Sequence, residues 1–145
     1  MYENSLRVPL IVYDPRQSGG KRIQSFALNI DVPATILDLA GIPAPDSWQG
    51  ASLFSKELEQ RKEFLTEHLW QTPIIAPSEA IRTDRWKYFH YLNDPTREEL
   101  YDLVADPMEK NNLAGNPLYQ QNLQELRKKL KDLAVKYQQG RIVEN

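Results

Sequence analysis

Side chains that could carry catalysis are scarce in this chain of 145 residues, which contains two histidines and no cysteine. His68 directly follows Glu67 in a predicted strand, so the two side chains point to opposite faces and do not form an acid–base pair. His68 is a candidate for contact with a ligand; the alternative is a histidine that is packed or hydrogen-bonded at a strand end. His90 lies among aromatic residues and is expected on the surface of a sheet. Without cysteine, a disulfide scaffold, a thiolate zinc site and a cysteine nucleophile are excluded.

Aspartates that could act as acids, bases or metal ligands are dispersed along the second half of the chain. They fall in predicted turns or at strand ends, where local hydrogen bonding favours this residue type: Asp84, Asp94, Asp102 and Asp106. The sequence contains no EF-hand calcium loop, no HExxH zinc motif, no GxGxxG loop and no GxSxG nucleophile motif. From the residue types alone, we predict no complete catalytic apparatus and no metal site in this chain.

The charge and hydropathy of the chain argue against two classes of partner. Its 18 Lys and Arg residues are balanced by 20 Asp and Glu residues, unlike the basic surface of a nucleic-acid-binding protein. The aromatic residues at 86–91 are therefore assigned to packing within a sheet rather than to base stacking. The longest apolar run, at 8–13, is far shorter than the roughly 20 residues of a transmembrane helix. We predict neither nucleic acid nor membrane as a partner.

The second half of the chain has the pattern of a small antiparallel sheet. Strands rich in β-branched and aromatic residues are predicted over residues 64–68, 80–83, 86–91 and 99–103. The pair Asp84–Arg85 suits a tight hairpin, and a second turn is predicted over residues 93–96. Asp106 is predicted to cap a helical turn whose first residue is Pro107.

A helix that covers this sheet is the clearest element. Asn116 is predicted as its N-cap, Pro117 as its first residue and Gly140 as its end. Apolar residues follow at steps of three and four along one face: Tyr119, Leu123, Leu126, Leu130, Leu133 and Tyr137. Because the repeat covers fewer than three heptads, it favours a helix lying on a sheet over a coiled coil.

The first half of the chain contains a second predicted helix with clear boundaries. Asp31 is predicted as its N-cap, and Gly41 as the residue in left-handed conformation that ends it. Val32, Ile36 and Leu39 share one face at helical spacing. These three side chains are therefore expected to pack against a neighbouring element.

The fold class predicted from these elements is an α/β fragment. The apolar stretch 6–13 predicts a strand covered on both faces, and residues 17–21 predict a turn. The Pro-rich stretch 42–50 marks a boundary between subdomains. Residues 1–50 thus contribute a strand and a helix of α/β character. Residues 51–145 contribute a small antiparallel sheet covered by a C-terminal helix.

Several short segments, taken together and in order, resemble one family of enzymes. They are YENSLRVPLIV at 2–12, NIDVPATILDLAGI at 29–42, QGASL at 49–53, AIRTDRWKY at 80–88, ELYDL at 99–103, DPME at 106–109 and NNLA at 111–114. Each segment alone is a weak match. In this order, and over nearly the whole chain, they resemble the C-terminal third of the sulfatases, which belong to the alkaline-phosphatase-like superfamily.

The resemblance implies a division of labour between this chain and a longer parent protein. Sulfatases hydrolyse sulfate esters with a formylglycine nucleophile and a calcium ion that polarises the sulfate. The motifs for both lie N-terminal to the matched part, so the resemblance implies that this chain holds no catalytic residue and no metal ligand and is inactive alone. Its partner would be the N-terminal part of the catalytic domain, and the parent would act on a sulfated small molecule or glycan. A bacterial parent is expected to be periplasmic or secreted.

The resemblance assigns few roles to individual residues. Glu67–His68 corresponds to a strand-end pair that faces the substrate cleft, which implies that His68 binds substrate and is partly exposed. Arg7, the DPME turn at 106–109 and Asn111 are implied to be structural. Residues 1–50 would be the C-terminal edge of the catalytic domain, and residues 51–145 the C-terminal subdomain.

Two alternatives remain open. The parent could be a phosphoesterase or phosphonate hydrolase of the same superfamily, which only the nucleophile motif would separate from a sulfatase. The chain could also be a free-standing, non-catalytic module that binds a partner or a glycan. If it is instead a fragment, Leu10, Ile11 and Val12 lose their neighbours, and residues 1–45 are expected to self-associate or to be poorly ordered.

Overall fold

The computed structural model describes residues 1–16 and 18–138 and divides the chain into two compact units. The first, which we call the sheet unit, joins Met1–Val8 to the chain from Glu63 onward. It contains helix α1 (Glu3–Leu6), strands β1 (Glu63–His68), β2 (Ser78–Thr83), β3 (Trp86–Tyr91) and β4 (Asp94–Asp102), a 3₁₀ turn (Pro117–Tyr119) and helix α4 (Gln120–Gln138). The second unit, Pro9–Lys62, contains helices α2 (Asp31–Leu39) and α3 (Lys56–Gln60).

The four strands form one antiparallel sheet in the order β1-β2-β3-β4. The tight turn at Asp84–Arg85 and the bounds of β3 are confirmed. The second turn is shorter than predicted, because β4 begins at Asp94 and only residues 92–93 separate it from β3. Pro95 is accommodated in a strand at this point because β4 is an edge strand, and the register shifts next to it, at His90/Tyr91.

The predicted apolar stripe of α4 covers one face of the sheet. Its leucines are buried with apolar residues of β2, β3 and β4 in one core: Leu123, Leu126, Leu130, Ile81, Tyr88 and Leu100. The N-cap is confirmed, since the side-chain oxygen of Asn116 accepts a hydrogen bond of 3.0 Å from the backbone N–H of Leu118. The helix end predicted at Gly140 lies outside the described residues.

Asp31 has a different role from the predicted N-cap of α2. It is the first residue of the helix and is fully buried. Its carboxylate accepts hydrogen bonds from the backbone N–H groups of Leu28 and Ala51, at 2.6 and 2.8 Å, and from Arg61 at 2.5 and 2.8 Å. A long-range ion pair thus replaces the local cap and ties three segments of this unit together. The φ of +70° at Gly41, just after the helix, agrees with its predicted role.

The strand predicted over residues 6–13 is not formed in this chain. After α1, residues 7–14 have no regular secondary structure, and Ile11 and Tyr13 are 90% and 86% exposed. A strand needs hydrogen-bonding neighbours, and no other described segment supplies them here. On α2, Ile36 is likewise exposed, while Ala34 and Thr35 are buried instead. Gln17 of the predicted turn lies outside the described residues, and self-association of this region stays a prediction.

Candidate functional site

His68 is the last residue of β1 and lies on the face of the sheet opposite α4. Leu65 packs into the core beneath α4, and side chains alternate along a strand, so His68 points to the other face. The residue is partly exposed, as expected for a cleft residue, yet its Nε2 atom is buried and has no hydrogen-bond partner among the described residues. Leaving a buried polar atom unpaired costs about 1–3 kcal/mol, so such an atom calls for a ligand, a water or a further protein group.

The chain continues from His68 into the longest connection of the sheet. Residues 69–77 join β1 to β2, whereas two residues suffice in each of the other hairpins. Thr72 organises the loop, because its Oγ1 accepts a hydrogen bond of 2.9 Å from the N–H of Ile75, and its own N–H donates to the carbonyl of Ile75 at 3.0 Å. Trp70 and Ile74 are 81% and 91% exposed. No role was predicted for this loop, although its length and its exposed tryptophan are signals that the sequence carries.

His90 is not brought together with His68. It follows Tyr88 by two positions on β3 and therefore shares the α4 face, where the two rings stack with centroids 6.3 Å apart. Its Nε2 lies 3.6 Å from a carboxylate oxygen of Glu79 on β2. His90 is thus partly exposed at the sheet surface, as predicted, and makes no site with the other histidine.

The dispersed aspartates that make described contacts stabilise the turns and strand ends in which they lie. Asp94 accepts hydrogen bonds from the backbone and hydroxyl of Thr96, and Asp102 pairs with Arg85 at 2.7 Å. Asp84 is exposed in its turn. Within residues 1–16 and 18–138, no group of three or more His, Asp or Glu side chains could hold a metal ion. The resemblance assigns the calcium ligands of the parent protein to sequence N-terminal to this chain.

A buried carboxylate holds three phenol groups on the face of the sheet opposite α4. Glu99 on β4 accepts hydrogen bonds from the hydroxyls of Tyr2 at 2.9 Å, Tyr91 at 2.8 Å and Tyr101 at 2.5 Å. Burial, with the hydrogen bond to this carboxylate, raises the pKa of Tyr91 to about 12, and it raises the pKa of Tyr101 for the same reasons. The three phenols are thus held as neutral donors, which is a structural arrangement.

A second buried network holds the start of the chain on the same face. We call residues 1–6 the strap. Lys87 on β3 is fully buried, and its Nζ lies 2.6 Å from Glu109 and 2.8 Å from Glu3. The backbone N–H of Glu3 donates to the other oxygen of Glu109 at 2.6 Å, and Arg82 on β2 donates to the Glu3 carboxylate at 3.1 Å. Charges from β2, β3 and the turn after β4 therefore converge on the strap.

The contacts of these carboxylates favour a structural role over proton transfer. Burial alone would raise the pKa of Glu3, but hydrogen bonds from Arg82 and Lys87 outweigh it and hold this pKa below its ordinary value. Each acid in the network has a cationic or backbone donor in direct contact. Glu3 is therefore held as a carboxylate and is not poised as a general acid at neutral pH.

The DPME segment forms a turn rather than the predicted helical turn. Asp106 accepts hydrogen bonds from the backbone N–H groups of Lys110 and Asn111, at 2.7 and 2.8 Å, and this closes the turn. Glu109 has a φ of +54°, in the left-handed region that glutamate rarely adopts. This conformation aims its carboxylate at Lys87 and the strap instead of continuing a helix. Arg7, just after the strap, is exposed, and its anchoring role stays a prediction.

The helices of the described residues give no indication of a bilayer-spanning segment: none combines the length and apolar character that crossing would require.

Comparison with known proteins identifies relatives of this chain by sequence. A family model described as "N-sulphoglucosamine sulphohydrolase, C-terminal" matches residues 1–136. The chain is 32% identical over 147 residues to an N-acetylglucosamine-6-O-sulfatase of Bacteroides thetaiotaomicron, covering 94% of this chain and 26% of the relative. It is 39% identical over 121 residues to a choline-sulfatase of Rhizobium meliloti, covering 80% of this chain and 23% of that relative. The chain thus spans about a quarter of the length of these relatives.

Solved structures share the fold. A protein in complex with its substrate, D-glucosamine-2-N,6-O-disulfate, aligns with a TM-score of 0.68 and 32% identity, covering 77% of this chain and 24% of that one. A phosphonate monoester hydrolase of Agrobacterium radiobacter aligns with a TM-score of 0.65 and 25% identity, covering 79% and 26%. The likeness confirms the predicted fold class, an antiparallel sheet with a C-terminal helix in a mixed α/β setting.

Proposed function

Because this chain belongs to the sulfatase family, as its C-terminal portion, we propose that the longer protein of which it is part hydrolyses sulfate esters of a carbohydrate. The observation that carries the proposal is the family match over residues 1–136. The sulfated sugars named for an N-acetylglucosamine-6-O-sulfatase and for the disulfated glucosamine complex support the substrate class.

In this proposal the chain supplies part of the substrate cleft and the polypeptide N-terminal to it supplies the chemistry. A formylglycine nucleophile and a calcium ion would be held by that polypeptide. Residues 1–50 would be the edge of its catalytic domain and residues 51–145 the C-terminal subdomain. The strap makes its described contacts within the sheet unit, to which residues 1–8 belong.

His68 would bind the substrate. Its Nε2 is buried at the end of β1 and has no hydrogen-bond partner within residues 1–16 and 18–138. This supports the role, since a sulfate or hydroxyl oxygen could supply a partner. An imidazole can donate to an anionic oxygen or accept from a hydroxyl, so either contact is chemically suitable. Binding at this position would orient the ester rather than transfer a proton.

Sulfate release by the full-length protein tests the proposal. We expect hydrolysis of glucosamine 6-sulfate by the full-length protein and none by the 145-residue chain alone. His68→Ala should lower kcat/KM about tenfold or more, while His90→Ala, on the other face of the sheet, should stay within twofold. Turnover by the isolated chain, or equal effects of the two substitutions, would contradict this assignment.

The likeness to a phosphonate monoester hydrolase favours a second candidate, hydrolysis of a phosphonate or phosphate ester. A full-length protein that cleaves phosphonate monoesters and leaves sulfate esters intact would establish this alternative. A protein that binds sulfated glycans and hydrolyses neither ester would establish the non-catalytic binding module.

A further inference from the structure

We propose that Trp70 determines substrate specificity by stacking on the pyranose ring of the sulfated sugar. The inference deepens the proposed function and rests on it for the substrate class. Trp70 lies in the long β1–β2 loop, two residues after His68, and its side chain is 81% exposed. A tryptophan this exposed leaves a large apolar surface in water, and exposed apolar patches mark binding sites.

The neighbouring histidine makes a ligand the appropriate partner for this surface. Two residues of extended chain span at most about 7 Å between Cα atoms, so one sugar-sized molecule can contact both side chains. His68 contributes a buried polar atom that has no hydrogen-bond partner in the part of the chain that the structure describes, and Trp70 contributes a flat apolar face. A few placed polar groups beside aromatic surface are the usual composition of a small-molecule site.

The loop is ordered enough to present a fixed surface. One backbone hydrogen bond, from the N–H of Thr72 to the carbonyl of Ile75, and one from the N–H of Ile75 to the hydroxyl of Thr72 close a turn inside it. A platform held in place before binding loses less conformational entropy when the ligand arrives. Trp70 itself has only two side-chain torsions to fix.

The charges of the loop favour a sugar over a cationic substrate. A quaternary ammonium group such as that of choline binds to an aromatic face and gains from a nearby carboxylate. Residues 69–77 contain no charged residue, and Glu67 points to the opposite face from His68. The C–H face of a hexosamine needs only the apolar ring of Trp70. The exposed amide of Gln71, next in the chain, is suited to the sugar hydroxyls.

Kinetics of the full-length protein test this role. Stacking on a ring that does not react contributes equally to the ground state and the transition state, so its loss raises KM and leaves kcat unchanged. With glucosamine 6-sulfate, Trp70→Ala should raise KM tenfold or more with kcat within twofold. Trp70→Phe should raise it less than threefold. The matched control is Ile74→Ala, on the same loop and 91% exposed, which should leave both constants within twofold.

Fluorescence supplies a readout that does not depend on turnover. Titration of the full-length protein with N-acetylglucosamine should change the tryptophan emission, and Trp70→Phe should abolish that change. Trp48→Phe should preserve it. If no sulfate ester is hydrolysed but this titration behaves as stated, the proposed function fails and the sugar platform stands.

Three results would overturn the inference. The first is an unchanged KM for Trp70→Ala in an enzyme that hydrolyses the sulfated sugar. The second is a KM increase with choline sulfate alone, which would assign the surface to a cationic substrate. The third is a loss of thermal stability with equal loss of activity on every ester, which would show that Trp70 packs against the rest of the polypeptide.

Discussion

Replacing Glu109 with glutamine tests whether buried charge holds the strap on the sheet. Lys87 is fully buried, and its Nζ lies 2.6 Å from Glu109 and 2.8 Å from Glu3. The glutamine keeps the size of the side chain and removes one of the two countercharges. Breaking a buried pair by removing one partner costs about 3–5 kcal/mol. Because Glu3 remains, we expect the free energy of unfolding of the sheet unit to fall by about 3 kcal/mol, at the lower end of that range.

Thermal and urea unfolding of the 145-residue chain measure this loss. In a chain of this size each kcal/mol corresponds to about 2–4 °C, so Tm should fall by about 6–12 °C. The control is Asp132→Asn, which breaks the exposed ion pair with Lys128 on α4. An exposed pair four residues apart in a helix contributes about 0.3–0.5 kcal/mol, so the control should barely shift Tm.

A second substitution distinguishes lost charge from lost packing. In Glu109→Gln the buried ammonium of Lys87 keeps only one of its two carboxylate partners, Glu3. Adding Lys87→Met removes this ammonium. Apolar replacement of a buried ion pair is often neutral or stabilising, so the double variant should be more stable than Glu109→Gln. The reasoning is refuted if the single variant unfolds within 1 kcal/mol of the original chain, or if the second substitution destabilises it further.

Three further predictions concern pH and close packing. Burial and the hydrogen bond to Glu99 raise the pKa of Tyr91 to about 12 from an ordinary value of 10.0. The contribution of Tyr91 to stability should therefore be complete below pH 10 and disappear as pH rises toward 12. Absorbance at 295 nm should show its ionisation delayed, and Tyr91→Phe should lower the amplitude of the late step by one tyrosine, because the raised pKa values of Tyr88 and Tyr101 leave those two phenols in it. Burial opposes ionisation of Glu3, but hydrogen bonding from Arg82 lowers its pKa below 4.5. The contribution of Glu3 to stability should therefore be present above pH 4.5 and disappear as pH falls through the lowered pKa. In Glu3→Gln, the free energy of unfolding should fall less steeply as the pH is lowered. A Cβ on Gly50 would lie 1.9 Å from the backbone carbonyl oxygen of Ile30. Gly50→Ala should therefore lower the free energy of unfolding, measured by urea titration, by about 2 kcal/mol or more. The control is Gly20→Ala, which has open space around it and should change this free energy by less than about 0.5 kcal/mol.

The elements that follow from local pattern were predictable from the sequence. The apolar stripe of α4, and the cap at Asn116 on the 3₁₀ turn that leads into it, depend on residues within a few positions of each other. The same holds for β3 and for the two-residue hairpin at 84–85. Each is specified by spacing that can be read without knowing the rest of the fold.

Three of the failed predictions depend on partners that are distant in the sequence. Residues 6–13 have the composition of a strand, but a strand exists only where neighbours hydrogen-bond to it. Asp31 has the residue type of a cap, and Arg61, 30 residues away, recruits it to an ion pair. Residues 106–109 were expected to form a helical turn, but the carboxylate of Glu109 binds the strap.

The candidate site was likewise predictable only in part from the sequence. His68 could be singled out from its residue type and its position at a strand end. The burial of its Nε2, with no hydrogen-bond partner among the residues described, could not be predicted from the sequence, because burial of one atom depends on packing from several elements. Trp70 was visible in the sequence but its exposure was not, since tryptophan more often lies at least partly buried.

The strap has a consequence for the order in which this protein can fold. Glu3 and its anchor Glu109 are 106 residues apart. At a synthesis rate of about 5–20 residues per second, roughly 5–20 s pass between the emergence of the two side chains from the ribosome. Throughout that interval the strap lacks at least one of its anchors, which lie on β3 and in the turn after β4. Contacts at such separation form slowly, because loop closure must be completed before they contribute. The beginning of the chain is therefore expected to be the last part of the sheet unit to reach its native position.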